Sequence, residues 1–426
     1  MRLQSVPVSV VTNAPLTAFR TASSPVNIAR TAWPRWTDLS RDFAPELSVS
    51  IHKDFAAVES EWQSFQASAE ATPFQSFEWL SAWQRHIGAP EGVVPAIVVG
   101  RFSDGQTAFI LPLAIETRRN AKRLCWLGQE LGDYNAPLLA RDFSQRVAAG
   151  RFLALWEELQ RQMQSAPELR YDWIEFEKMP QTVGVQINPF THLNVAPNAN
   201  NAYITQLGDD WDTFYRAKRS SATRRRDRAK RKRMSEFGEI RFITDAAPDD
   251  VRQTLDTLWV QKKRIFARRG IADMFAKPGY RDLFNDFASN PQTQHLVHVS
   301  RVEIGDSTAA ANFALIFGDC YYHLLSSYCD SEVTRLGPGA LHLRELLAYA
   351  IKTGRRLFDF TIGDEPYKME WSDLRLKLFD YSAAATWRGA PPNSASIVRR
   401  QIKRFIKQTP LLWRLASLAR SVFGPR

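Results

Sequence analysis

Between Leu296 and Tyr328 three apolar stretches run almost end to end. Leu296–Glu303, Ala309–Phe317 and Cys320–Tyr328 alternate as strands do, and only Gly318-Asp319 separates the last two. A two-residue Gly/Asp connection leaves room for nothing but an antiparallel hairpin. The next strand-like stretch, Leu357–Thr361, comes only after a helix-periodic segment, Ala340–Thr353, that Gly354 ends. A helix between two strands of one sheet makes a crossover and pairs them in parallel. Meander followed by crossover predicts a mixed, largely antiparallel sheet flanked by helices, an α/β (α+β) fold rather than a doubly wound one.

The same order can be read in the first half. A strand near Leu47–Ile51 precedes a helix over Phe55–Phe65. A second helix follows Thr72-Pro73, with Phe77, Leu80, Trp83 and Ile87 on one face. Strands then fall at Val93–Val99, Ala108–Ile115 and Arg123–Leu127. A helix over Phe152–Met163 leads to a strand at Tyr171–Phe176. An Asn- and Pro-rich stretch, Asn188–Asn201, reads as the loop that closes this half. Beyond it, helices are predicted from Trp211, over Pro248–Arg268 and over Pro278–Ser289, with strands at Ile240–Thr244 and Tyr381–Trp387. At 426 residues the chain exceeds what one core ordinarily serves. The expected layout is a disordered basic arm over residues 1–45, domains over 46–195 and 202–390, and a tail over 391–426. Two halves of one grammar suggest a duplication.

Bulk properties narrow the function classes. No apolar run approaches the roughly 20 residues a membrane-spanning helix needs, and the first acid is Asp38. Cys125, Cys320 and Cys329 are scattered and odd in number, which fits a reducing compartment and argues against a disulfide framework. His52, His86, His192, His295, His298, His323 and His342 are equally dispersed, so no metal site is expected. Neither a Ser-His-Asp order nor HExxH is present, which weakens hydrolase readings. A net charge of +11 favours anionic partners without choosing among phosphates, nucleic acid, lipid and glycans.

The stretch Ser326–Trp371 gathers the chemistry. Gly337 and Gly339 stand where a strand gives way to a helix whose Leu343, Leu346, Leu347, Ala350 and Ile351 share one apolar face. Glycines there let main-chain amides approach an anion at the positive end of the helix; equally, Gly337-Pro338-Gly339 can be a plain turn. After the helix, Asp359, Asp364, Tyr367 and Lys368 crowd the end of a strand, as an active site or as a solvated loop with a surface ion pair.

The run from Tyr328 through Pro338-Gly339 to Phe358-Asp359-Phe360, Gly363-Asp364 and Tyr367-Lys368 resembles the GNAT-superfamily acetyltransferases of the CelD/BcsL type, associated with cellulose and exopolysaccharide biosynthesis. These are similar in turn to the FemAB-like transferases, built from two GNAT-like halves. Pro73-Phe74-Gln75-Ser76-Phe77-Glu78-Trp79 and Gly132-Asp133-Tyr134-Asn135 resemble the same family more diffusely. The resemblance implies two tandem GNAT-like domains, the second transferring an acyl group, above all acetyl, from acyl-CoA to an amine or hydroxyl. The acceptor would be a glycan or an amine-bearing small molecule in a bacterial cytoplasm. By motif position, Arg335 and the main chain at Gly337, Gly339 and Ala340 would hold the donor's phosphates, with Lys368 on a phosphate or an acidic acceptor. Asp359 or Asp364 would take the acceptor's proton, and Tyr367 would protonate the departing thiolate. One departure stands out. The usual Arg/Gln-x-x-Gly-x-Gly/Ala signature here begins with Thr334, Arg335 being displaced by one. That leaves the donor open between CoA, another acyl carrier, and the aminoacyl-tRNA of the FemAB-like relatives. A silent scaffold binding a polysaccharide synthase or nucleic acid is the reading from outside enzymology.

Two basic segments remain. Lys218–Arg233 carries ten bases against Asp227 alone, a solvated helix face or a surface for RNA, lipid or glycan. From Ser394 onward there is no acid, and Val398, Ile402, Phe405 and Ile406 share a helical face. Such a helix can dock on its own domain, pair with another subunit, or lie on an anionic membrane, which would make the protein cytoplasmic and peripheral at the inner membrane.

Overall fold

The computed structural model describes residues 47–118, 120–244 and 247–409. The expected basic arm, residues 1–45, and the tail beyond residue 409 lie outside them. Among the described residues a thirteen-stranded sheet has twelve strands along its path. In chain order they are β1 (Ser48–His52), β2 (Val94–Arg101), β3 (Thr107–Arg118), β4 (Ala121–Trp126), β5 (Trp173–Pro180), β6 (Ala196–Gln206), β7 (Ile240–Thr244), β8 (Val297–Ile304), β9 (Ser307–Phe317), β10 (Cys320–Tyr328), β11 (Leu357–Ile362) and β12 (Leu374–Ala384). A two-residue strand, Leu138–Leu139, adds to β3.

Their order across the sheet is β1-β2-β3-β4-β5-β12-β6-β11-β10-β9-β8-β7. Read from either edge, the path is the same: first strand, three-stranded meander, a crossover strand, then the last strand of the opposite half. Pairing is antiparallel except between β4 and β5 and between β10 and β11. Those parallel pairs are the ones whose connections carry helices, α3 (Ala149–Ser165) and α8 (Pro338–Lys352), as a crossover requires. The mixed sheet expected from the sequence is therefore present, and the exchange of β6 and β12 welds the halves into one surface.

Three local expectations need correction. Residues 196–201, read as loop, open the central strand β6. Residues 202–206 pair with β11 on one side and β12 on the other, while 196–201 pair with β12 alone; that ladder overrides the poor strand propensity of Asn and Pro. Asn198 also bonds Asp380 across that ladder at 2.7 Å. β12 begins at Leu374 rather than Tyr381, because its first residues pair with the same strand. Within the polar stretch after β11, residues 366–371 form a short helix, α9 (Pro366–Trp371), with Pro at its start.

On one face of the sheet lie α1 (Glu59–Gln66), α2 (Phe77–Trp83), α6 (Pro248–Arg268) and α7 (Tyr280–Ser289). They share one core drawn from both halves. Trp79 is buried edge-on against Phe284 and Phe287, with centroids 5.7 and 5.4 Å away. Gly279, which precedes α7, has φ +79, and a Cβ there would stand 2.0 Å from the His86 carbonyl oxygen. Only glycine permits that contact between the halves. The opposite face is covered by α3 in the first half and α8 in the second. The predicted apolar face of α8 (Leu343, Leu346, Leu347, Ala350, Ile351) is buried as expected.

Candidate active site

β10 and β11 run side by side for three residue pairs, Cys320 with Leu357, Tyr321 with Phe358 and Tyr322 with Asp359. Then they part. β10 continues to Tyr328 along β9 through an irregularity of register between Tyr322 and Leu325, while β11 turns toward β6 through an irregularity between Asp359 and Ile362. The turning residue is Thr361, with φ +59, a left-handed conformation that a β-branched residue adopts only under constraint. From His323 onward the edge of β10 that faces β11 has no strand partner among the described residues. The fork opens at the middle of the sheet, and across it the His323 carbonyl accepts the Thr361 hydroxyl at 3.4 Å.

The fork is walled by titratable groups from both halves. Asp359, 2% exposed, accepts the Tyr134 hydroxyl at 2.7 and 2.9 Å and the Thr361 amide at 2.7 Å. Burial pushes its carboxyl up to about 7, partly offset by those donors. Asp133 lies against the Thr361 side chain and the Ile362 amide. Burial raises its carboxyl too, with Lys178 and Lys368 opposing. Lys368 is buried beneath, donating to the Ile362 carbonyl at 2.7 Å and pairing with Glu365 at 3.2 Å. Lys262 looks in from α6; burial, with Arg269 and Lys368 adding like charge, lowers its ammonium to about 8. His323 is held neutral, to about 3, by burial and then by the charges of Lys368 and Lys262.

Each of these groups is positioned by something legible. Gln261, next to Lys262, bonds the Thr308 carbonyl at 3.0 Å and accepts Ser327 Oγ at 2.8 Å, fixing α6 on β9 and β10. Tyr134 is set by the Pro73–Gln75 turn. Gln75 donates to its carbonyl at 2.7 Å, Phe74 packs edge-on against its ring at 5.8 Å, and Trp62 Nε1 bonds the Gln75 carbonyl at 3.1 Å.

The residues expected to act do not gather in one place. Asp359 stands in the fork. Tyr367 packs with Phe360, ring centroids 6.4 Å apart, against the core under α8; burial and then Glu365 push it above the phenol range. Asp364 stands apart, bonded to Asn201 Nδ2 at 2.8 Å and the Tyr203 hydroxyl at 3.0 Å. Lys368 serves main-chain carbonyls instead of facing the glycines. Gly337 (φ +81) caps α8, and its carbonyl accepts the Ala340 and Leu341 amides at 3.1 and 3.2 Å. Gly339 has no such backbone need: a Cβ there would meet only Tyr328, at 3.7 Å. Nothing inside the fold asks for glycine at 339, so its bare surface is available to a ligand at the start of α8. Ala340 and Arg335 are exposed beside it. Asp133, Tyr134 and Lys262 went unassigned in the sequence. Gly132-Asp133-Tyr134-Asn135 carried the signal for the first two, and Lys262 carried none.

Residues 221–369 match the acetyltransferase (GNAT) domain. This segment contains the fork's two strands, α8 and Lys262, and the chain carries a GNAT-type acyltransferase fold. Among solved structures, FemX superposes with a TM-score of 0.54 at 12% identity, over 79% of this chain and 97% of that one. A tandem GNAT protein from the clavulanic acid biosynthesis pathway matches at TM-score 0.44 and 12% identity, over 80% and 99%. L-PGS from Bacillus licheniformis matches at 0.44 and 13%, over 80% and 96%. At 12% identity the likeness to FemX is one of fold. No curated protein matches the sequence. Among the described residues no cluster of His, Cys, Asp and Glu is placed to hold a metal ion, and no helix is long and apolar enough to cross a membrane.

Proposed function

We propose that this protein transfers an acyl group, acetyl in the first instance, from acyl-CoA to an amine or hydroxyl of a glycan during synthesis or decoration of cellulose or another extracellular polysaccharide. The observation that carries the reading is the fork: a parted sheet edge lined by a carboxyl near neutrality and a lysine near 8. Main-chain amides of β10 along the fork suit a thioester carbonyl. The Gly339 surface and the positive end of α8 suit the donor's phosphates, with exposed Arg335 beside them.

In the transfer, the acceptor's N or O attacks the thioester carbon. A C–N or C–O bond forms, the C–S bond breaks, and the acceptor's proton passes to the Asp359 carboxylate. The departing thiolate needs a proton from an acid of matched strength. Tyr367, raised above the phenol range, is too weak an acid and serves better as a hydrogen-bond donor. Lys262, near 8, matches a thiol of about 8.5. Asp364, bonded away from the fork, orients the β6–β11 junction instead of moving protons.

Gly339→Trp tests the donor assignment at a position where a Cβ meets only Tyr328, at 3.7 Å, with circular dichroism checking that the fold is kept. Calorimetry with acetyl-CoA should find binding abolished; unchanged affinity refutes the phosphate surface. Lys262→Met should cut turnover about 10²–10⁴-fold, the range of one general acid.

A second reading, aminoacyl-tRNA as donor, is favoured by one observation. The basic helix α5 (Ser221–Met234) borders the donor loop, with Met234 buried against Val333, Leu336 and Leu341. Arg225, Arg226, Arg228, Lys230, Lys232 and Arg233 are exposed on it. Salt-dependent binding of RNA in the absence of acyl-CoA binding would favour this donor.

A further inference from the structure

The helix α10 (Ala390–Gln408) is seated with its polar side inward. Ser396 bonds buried Glu175, and Asn393 pairs with Ser382. Arg400 and Arg399 reach Glu175 at 3.9 and 3.6 Å, Arg399 also reaching Glu177 at 3.5 Å. Lys407 bonds Asn200 and stands 3.7 Å from Asp364. Beneath this side lies a polar cavity of about 460 Å³, reaching Lys178, Asn198 and Asp380.

The other side of the helix is apolar and uncovered. Val398, Ile402 and Phe405 are spaced four and three residues apart, one stripe of a helix, and are 52%, 54% and 63% exposed. Just before the helix, Trp387 is 80% exposed, with the Arg388 guanidinium 5.4 Å from its ring. A surface helix ordinarily turns such a stripe toward the core; here the core-facing positions are occupied by ion pairs.

We propose that this outward stripe docks the protein on an anionic membrane surface. Charge selects the occupant. No Asp or Glu occurs after Asp380 in the sequence, while Arg388 and Arg404 stand next to Trp387 and Phe405 in the chain; Arg399 and Lys403 line the cavity on the inner side. A second copy meeting this face by a two-fold axis would bring the same positive set against it, and like charges in apposition repel. The chain's own residues 410–426 carry Arg414, Arg420 and Arg426 and no acid, so they supply no counter-charge either. A nucleic acid would satisfy the bases and leave the apolar stripe in water. An interface of anionic lipid takes both, headgroups against the bases and the acyl boundary against Val398, Ile402, Phe405 and Trp387. Docked so, the polar cavity under α10 would face a layer of lipid headgroups, one helix away.

The experiment is flotation of the purified full chain with phosphatidylcholine vesicles, with and without phosphatidylglycerol. Binding is expected only to the phosphatidylglycerol vesicles and should weaken with salt. Ile402→Asn with Phe405→Asn should reduce it about tenfold or more, since both side chains forfeit their apolar transfer. Arg388→Gln with Arg404→Gln should weaken it and flatten the salt dependence. As an independent readout on the unaltered fold, brominated lipid should quench tryptophan emission less in Trp387→Phe than in the native chain. Failure of the native chain to float with anionic vesicles overturns the proposal. So does equal flotation of the Ile402/Phe405 variant, or a native dimer in sedimentation that this variant converts to monomer, which would assign the stripe to a second copy.

Discussion

Replacing Asp359 by Asn should make the protein more stable above neutrality while removing its proton acceptor. The carboxyl is 2% exposed, and burial carries it from an ordinary 3.8 to about 7. Three units at about 1.36 kcal/mol each give a penalty of at most about 4 kcal/mol for ionising it in the folded state. The sign follows from proton counting. Between pH 3.8 and 7 the unfolded chain has released this proton and the folded chain still holds it. Stability therefore falls as pH rises through that window, then stays level. Asparagine keeps an oxygen for the Tyr134 hydroxyl and the Thr361 amide, so it preserves the 2.7 Å bonds, and it has nothing to ionise. Urea unfolding of both proteins from pH 4.5 to 8.5 isolates the effect, because every other titrating group is common to both. The variant's advantage should grow with pH toward the few kcal/mol just derived. A difference between the two proteins that does not change with pH would falsify the account of Asp359.

Tyr134→Phe removes the hydroxyl that favours the Asp359 carboxylate, so the acid limb of a kcat-versus-pH profile should move to higher pH; an unmoved limb refutes the coupling. Gly279→Ala puts a methyl 2.0 Å from the His86 carbonyl oxygen at φ +79, and urea unfolding should register a loss of more than about 2 kcal/mol. Trp79→Ala empties a buried site between Phe284 and Phe287 and should cost about 3–5 kcal/mol in the same measurement.

What could be read in the sequence was what short-range chemistry dictates. The Gly318-Asp319 hairpin, the crossover helix with its five-residue apolar face, and the limits of Pro248–Arg268 follow from turn residues and from a period of 3.6. β6 was illegible because its place depends on two partners, β11 and β12, that arrive more than 150 residues later. The site divides in the same way. Asp359 and Tyr367 sit in one contiguous motif and could be singled out. The partner that holds Asp359 in place, Tyr134, lies 225 residues upstream, and no local pattern joins them. Thr361 gave no sign of its left-handed backbone, because threonine is a strand former and only the tertiary fork forces that angle.

Because β6 finishes the later half of the sheet and β12 the earlier one, neither half of the polypeptide encodes a closed structure. A fragment ending before residue 196 would present the bare flank of β5, and one starting at residue 207 the bare flank of β11. Each would be a sticky edge until the other fragment arrived. Such a protein is suited to being split and reassembled as a complementation pair, and it tolerates badly the loss of either piece by deletion.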